Sequence, residues 1–183
     1  MKKPRETKRS SDEAVEDQAS GKVWADWFKI LDKVGAKKMP HKEIAAYLHD
    51  EQGVGPWWGQ MVAVAYEQER GLRQKFQKCD GEFSASSSRT MAVPIAMAFA
   101  AWTDDKRRAK WFPDGKLEIT TAAPGKYVRG KWGDSRLAVG FYAKGPGKTQ
   151  IAVDHGKLAS SRECEKMKSY WFSALNRLES LLT

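Results

Sequence analysis

Apolar positions recur at helical spacing three times in the first part of the chain. Val23, Trp24, Trp27, Phe28 and Leu31 make one face, which Gly35 ends and Ser20 is placed to cap. Pro40 suits the first turn of a second helix, in which Ile44, Tyr47 and Leu48 share a face until Gly53. Gly55 and Pro56 open a third, through Trp57, Trp58, Met61, Val62, Ala65 and Tyr66 to Gly71. The third is apolar around most of its circumference, which predicts that it is the buried one.

The pattern changes after a polar connector. Phe83 to Met91 is Ser/Thr-rich and extended, Pro94 opens a helix through Phe99 and Trp102, and Asp104 to Trp111 makes a second short one. Four strand-like runs follow: Leu117–Thr121, Tyr127–Trp132, Arg136–Ala143 and Thr149–His155. Pro124-Gly125, Gly133-Asp134 and Gly145-Pro146-Gly147 separate them like the turns of an antiparallel meander. Cys164, Met167, Tyr170, Trp171, Ala174, Leu175, Leu178, Leu181 and Leu182 then form one stripe. A helix of about 22 residues would be roughly 33 Å long, and its one-sided stripe needs a sheet to cover it. The fold class read from this order is α+β.

Composition divides the chain further. Residues 1–20 pair a basic run with an acidic block and hold few apolar groups, and read as a disordered tail. Residues 21–71 read as a three-helix domain, 72–81 as a linker and 82–183 as a second domain. Across 183 residues, 32 Lys and Arg oppose 23 Asp and Glu, a net charge of +9, and 41% hydrophobic residues suffice for a core. The apolar stretch from Thr90 to Thr103 is 14 residues, short of a membrane span. With no secretory signal and only Cys79 and Cys164, a reduced, cytoplasmic protein is expected.

The second domain carries words with a family resemblance: Arg89-Thr90-Met91-Ala92-Val93-Pro94, Phe99-Ala100-Ala101-Trp102-Thr103-Asp104 and Ala109-Lys110-Trp111. Gly147-Lys148-Thr149-Gln150, His155-Gly156-Lys157-Leu158 and Tyr170-Trp171 with Leu175 and Leu178 continue the series. In this order they resemble the SRPBCC or START-like helix-grip superfamily, nearest its chaperone-ATPase-activator (Aha-type) branch, over about residues 82–183. The resemblance implies a curved antiparallel sheet wrapped around the long C-terminal helix, with an apolar pocket between them. The chain has less sheet after the second short helix than such proteins usually carry, which leaves less room for a cavity. Residues 21–71 resemble a small, largely bacterial domain of unknown function through Trp24 to Trp27, Glu43-Ile44-Ala45, Gly55 to Trp58, Tyr66-Glu67 and Arg70-Gly71-Leu72.

Individual motifs mostly read as structure. Gly145-Pro146-Gly147-Lys148-Thr149 ends like a phosphate-binding loop but precedes a strand pattern, so it reads as a hairpin turn. The helix pair around Gly53 offers only Gln60 as a base reader, and residues 21–70 hold seven basic against seven acidic residues, which argues against nucleic-acid recognition there, and nucleic acid is not an expected partner of the protein. His41, His49 and His155 lack metal-ligand spacing. His41 and His49 read as solvated; His155, in phase with Thr149, Ile151 and Val153, reads as a structural histidine or a polar group at a cavity mouth. Cys164 lies in the apolar stripe of the last helix and Asp104 is placed to cap the second short helix. Lys106, Arg107, Arg108 and Lys110 read as a solvated helix face or an attractor of anionic partners.

Three functions compete. The first is non-catalytic binding of a small hydrophobic molecule, with Trp111, Phe141, Ile151, His155 and Trp171 lining the pocket. The second is a co-chaperone-like protein-interaction module docking through the Trp-rich helical domain. The third is an enzyme of the cyclase or aromatase type, ranked last because no base, nucleophile and orienting group stand together. No cofactor and no metal are expected. An exposed tryptophan patch would favour the interaction module, and an open cavity the binder.

Overall fold

The computed structural model describes residues 21–113 and 117–183. The reading of residues 1–20 as a disordered tail lies outside them. The chain divides into two compact units between Lys75 and Phe76.

The first unit contains α1 (Trp24–Lys33), α2 (His41–Asp50) and α3 (Pro56–Glu69), with a short 3-10 turn at Ala36–Lys38. Val23, not Ser20, is the N-cap of α1; its carbonyl accepts from the amides of Asp26 and Trp27, because the apolar face begins only at Trp24. Pro40 likewise precedes α2 rather than entering its first turn, with extended backbone and its carbonyl accepting from Glu43 and Ile44. Pro56 occupies the first position of α3, where its missing amide proton costs nothing. Trp27, Leu31, Ile44, Leu48, Val62 and Tyr66 fill the core.

α3 departs from expectation. It buries Gly59, Val62, Ala63, Tyr66 and Glu67, but Trp57 and Met61 are 64% and 41% exposed. The reason is the number of layers. Within its unit, α3 packs against α1 and α2. Apolar residues on its other side have nothing to cover them among the described residues of that unit.

The second unit runs β1 (Phe83–Met91), α4 (Ile95–Thr103), α5 (Asp105–Trp111), β2 (Leu117–Ala123), β3 (Tyr127–Trp132), β4 (Ser135–Ala143), β5 (Thr149–Leu158) and α6 (Ser161–Leu182). The strands form one antiparallel sheet in the order β1-β5-β4-β3-β2. α6 packs along β1 and β5, and α4 covers part of β3, β4 and β5. This is an α+β, helix-grip arrangement. Ser160 caps α6 by accepting from the Glu163 amide, while the Glu163 carboxylate accepts from the Ala159 amide. Residues 76–81, read from sequence as the end of the linker, fold back on β1: the Ser84 amide donates to the Phe76 carbonyl and the Lys78 amide to the Glu82 carbonyl. Two strands carry one extra residue, Thr120 in β2 and Lys157 in β5. Among the described residues, no helix is long and apolar enough to cross a membrane.

Candidate functional site

The five residues expected to line a pocket all reach the inner face of the sheet or the helices over it. Phe141 on β4 pairs with Ile151 on β5, and His155 pairs with Leu137, so these strand side chains share the face that the helices cover. Trp111 ends α5, and its indole donates to the Ala101 carbonyl at 3.0 Å. Trp171 sits mid-way along α6, stacked on Trp102 at 5.9 Å and on Phe112 at 5.4 Å. Phe141 meets Phe99 edge-on at 5.5 Å. All five are buried, and aromatic rings occupy the space between sheet and helix. Trp102, Phe112 and Trp132 are the residues that sequence reading did not assign to this space. They come from α4, the end of α5 and β3, and only the fold brings them together.

His155 is 2% exposed and its protonation is fixed by its neighbours. The Trp171 indole donates to Nδ1 at 3.1 Å, so Nδ1 must carry a lone pair. Nε2 lies 2.7 Å from the Ser135 hydroxyl, which itself donates to the Trp132 carbonyl at 2.6 Å. The ring is therefore neutral, with its proton on Nε2 donated to Ser135. Burial pushes its pKa below the ordinary 6.5. Trp132 stacks on it at 5.2 Å. Every polar atom of the imidazole is used inside the fold.

Other sequence candidates also take structural places. Asp104 caps α5 by accepting from the amides of Lys106 and Arg107, which lowers its pKa. Arg108 donates to the Trp102 carbonyl and pairs with Asp105, so it is not part of a free basic face. Cys164 is buried, and burial raises its thiol pKa; Cys79 is exposed. Gly145 and Gly147 adopt positive φ in the tight β4–β5 turn.

One histidine of the first unit corrects a reading. His49 is exposed, as expected, but His41 is not solvated. His41 lies between Glu67, 3.0 Å from Nδ1, and Gln60, 2.7 Å from Nε2, while Arg73 pairs with the other Glu67 oxygen at 3.0 Å. His49 Nδ1 lies 3.1 Å from the Val54 carbonyl oxygen. On another side of α3, Tyr66 donates to Asp32 at 2.9 Å and Arg70 grips the same carboxylate with two nitrogens. The Arg70 and Tyr66 hydrogen bonds hold the Asp32 pKa down to about 2. Burial, with Asp32 nearby, pushes Tyr66 up to about 12. Two polar clusters thus tie α3 to α1 and to α2.

A helix held this way presents Trp57 on a rigid base. Trp58 packs against the bundle core, and Trp57 stands edge-on to it with ring centres 4.7 Å apart at 86°. Met61 follows one turn later. Residues 52–66 contain no charged side chain, and that run is the sequence signal for an uncovered apolar stripe.

No family model matches the chain, and no curated protein matches it. Solved structures do. A conserved protein of unknown function from Enterococcus faecalis is similar at 16% identity, over 64% of this chain and 81% of that one, with a TM-score of 0.50. The Aha1 dimer from Colwellia psychrerythraea is 13% identical over 54% of this chain and 95% of that one, with a TM-score of 0.48. An HSP90 activator from Plasmodium falciparum is 18% identical over 54% of this chain and 95% of that one, with a TM-score of 0.47. The first of these likenesses shows the fold and says nothing of activity.

Proposed function

We propose that this protein is a non-catalytic interaction module that docks an amphipathic helix of another protein against the Trp57–Met61 face of α3. The observation that carries the reading is Trp57, 64% exposed on a helix whose other sides are held by two polar clusters. Large aromatic side chains that lose little freedom on binding are typical anchors of protein interfaces. The absence of charge over residues 52–66 makes an apolar helix face the fitting complement, since it leaves no buried charge unpaired.

The test is site-specific photo-crosslinking from position 60 in the native host, followed by binding of the purified partner. Trp57→Ala and Met61→Glu should each weaken that binding about tenfold or more with an unchanged thermal midpoint. A partner whose affinity ignores both changes overturns the reading. So does a homodimer of the purified protein that Trp57→Ala dissolves, because the face then serves self-association.

One observation supports the small-ligand reading as the second choice. The Trp102 indole nitrogen is buried with no hydrogen-bond partner beside the aromatic cluster, a donor that a polar-ended ligand could satisfy. Such a ligand would have to part rings that are already in contact.

A further inference from the structure

The two irregularities of the sheet deliver residues to one place. Thr120 and Lys157, the extra residues of β2 and β5, both line a depression of about 460 Å³ over the β3–β4 turn. Lys157 adopts φ +57°, a left-handed conformation that strains a residue with a side chain. Arg129, Lys131 and Arg136 complete the wall against one acid, Asp134. Arg136 pairs with Glu82. No acidic side chain pairs with Arg129, Lys131 or Lys157 among the described residues.

The depression continues across the outer face of the sheet through hollows linked by shared residues: Arg129 and Arg136 join it to the next, Ala138 and Asp154 that one to a third, and Ser86 and Ala152 the third to the last. From β3 to β1 this trough spans roughly 14 Å at ordinary strand spacing. Its floor is made of small residues. At Gly140 a Cβ would come within 2.6 Å of the Tyr142 phenol oxygen, so the glycine is what lets that ring lie across the strand. Tyr142 is 54% exposed, and the Arg129 guanidinium sits 4.6 Å over the Tyr127 ring on the same trough.

We infer that this outer face binds a short single-stranded stretch of nucleic acid, two or three nucleotides lying across the strands. Its phosphates would meet Arg129, Lys131 and Lys157, and one base would stack on Tyr142. Cations without an acidic partner set along a trough suit a chain of phosphates, and the exposed Tyr142 ring suits an unstacked base. A duplex offers no free base face, and an acidic peptide would leave the rings without a partner. Residues 117–158 hold seven Lys and Arg against three Asp and Glu, whereas residues 21–70 are balanced. The basic footprint sought on the helices lies on the sheet.

Fluorescence anisotropy tests this with the full-length protein and labelled single-stranded RNA and DNA of about ten nucleotides. The same sequence as a duplex, free ATP and polyglutamate serve as competitors, at salt from about 50 to 200 mM. Single strands should bind at least about tenfold tighter than duplex. Tyr142→Ala should weaken binding about tenfold or more at an unchanged salt slope. Joint Lys131→Gln and Lys157→Gln should lower the slope by about 1.4. Trp57→Ala should leave this binding untouched, which separates it from the docking face of α3. All these side chains are exposed, and matching thermal midpoints check that the variants fold. The inference is overturned by an absence of binding. Equal competition by polyglutamate or duplex with Tyr142→Ala silent also overturns it, as does ATP binding without oligonucleotide binding.

Discussion

The Trp171 indole donates its proton to His155 Nδ1 at 3.1 Å, joining the long closing helix to the sheet it covers. The bond exists only while His155 is neutral. Below pH 6.5 the unfolded ring gains a proton that the folded ring refuses until lower pH, so the unfolded state binds more protons and stability falls. Between pH 6.5 and about 5, the wild type should lose stability, and His155→Phe should lose less. At neutral pH the same variant should cost about 1–3 kcal/mol, because a buried indole proton is left without an acceptor. Denaturant melts across this range check both, and parallel pH profiles would refute the assignment.

Trp171 should matter more than Trp132. Its ring is fully buried and stacked on Trp102 and Phe112, whereas Trp132 is partly open. Trp171→Ala should cost about 3–5 kcal/mol as a large core truncation, and Trp132→Ala less. Equal or reversed losses in urea melts would contradict the packing described.

Asp32 provides an acid-sensitive tie between α1 and α3. Its folded pKa of about 2 lies under the ordinary 3.8, so the stability it contributes is complete above pH 4 and lost as pH falls toward 2. Asp32→Asn should lower the thermal midpoint at pH 6, and the gap to wild type should close near pH 2. A gap that persists at pH 2 would mean the carboxylate charge is irrelevant.

Lipids, flavonoids and polyketide-like aromatics should leave the thermal midpoint and the tryptophan emission unchanged, because rings fill the space such molecules would need. A dose-dependent rise would restore the small-ligand reading; a hundredfold excess over Kd is worth about 2.7 kcal/mol.

Strand positions were legible because turns punctuate them. β1 and β3 occupy Phe83–Met91 and Tyr127–Trp132, the residues read from sequence, and Gly133-Asp134 makes the turn between β3 and β4. The exposed side of α3 was not legible, since hydrophobic periodicity counts apolar residues but not the layers available to cover them. The same limit hid the aromatic cluster around Trp171. Trp102, Phe112 and Trp132 are far apart in sequence, and only the register of β3 and the seating of α4 and α5 set them around Trp171. The outer trough depends on two single-residue insertions, at Thr120 and Lys157, that alternation cannot reveal.

Within the five-stranded sheet β1 lies at one edge beside β5, and Ala85 meets His155 across roughly 70 residues of chain. β1 therefore leaves the ribosome well before its partner strand, and α6 follows later still. At about 5–20 residues per second, this first strand and the tryptophans of α4 and α5 wait several seconds without their cover. Closing so long a loop is also slow compared with the β2-to-β5 hairpins, which form between neighbours. The serines of β1 give that waiting strand little to aggregate with: the segment left longest alone during synthesis is among the least sticky in the unit.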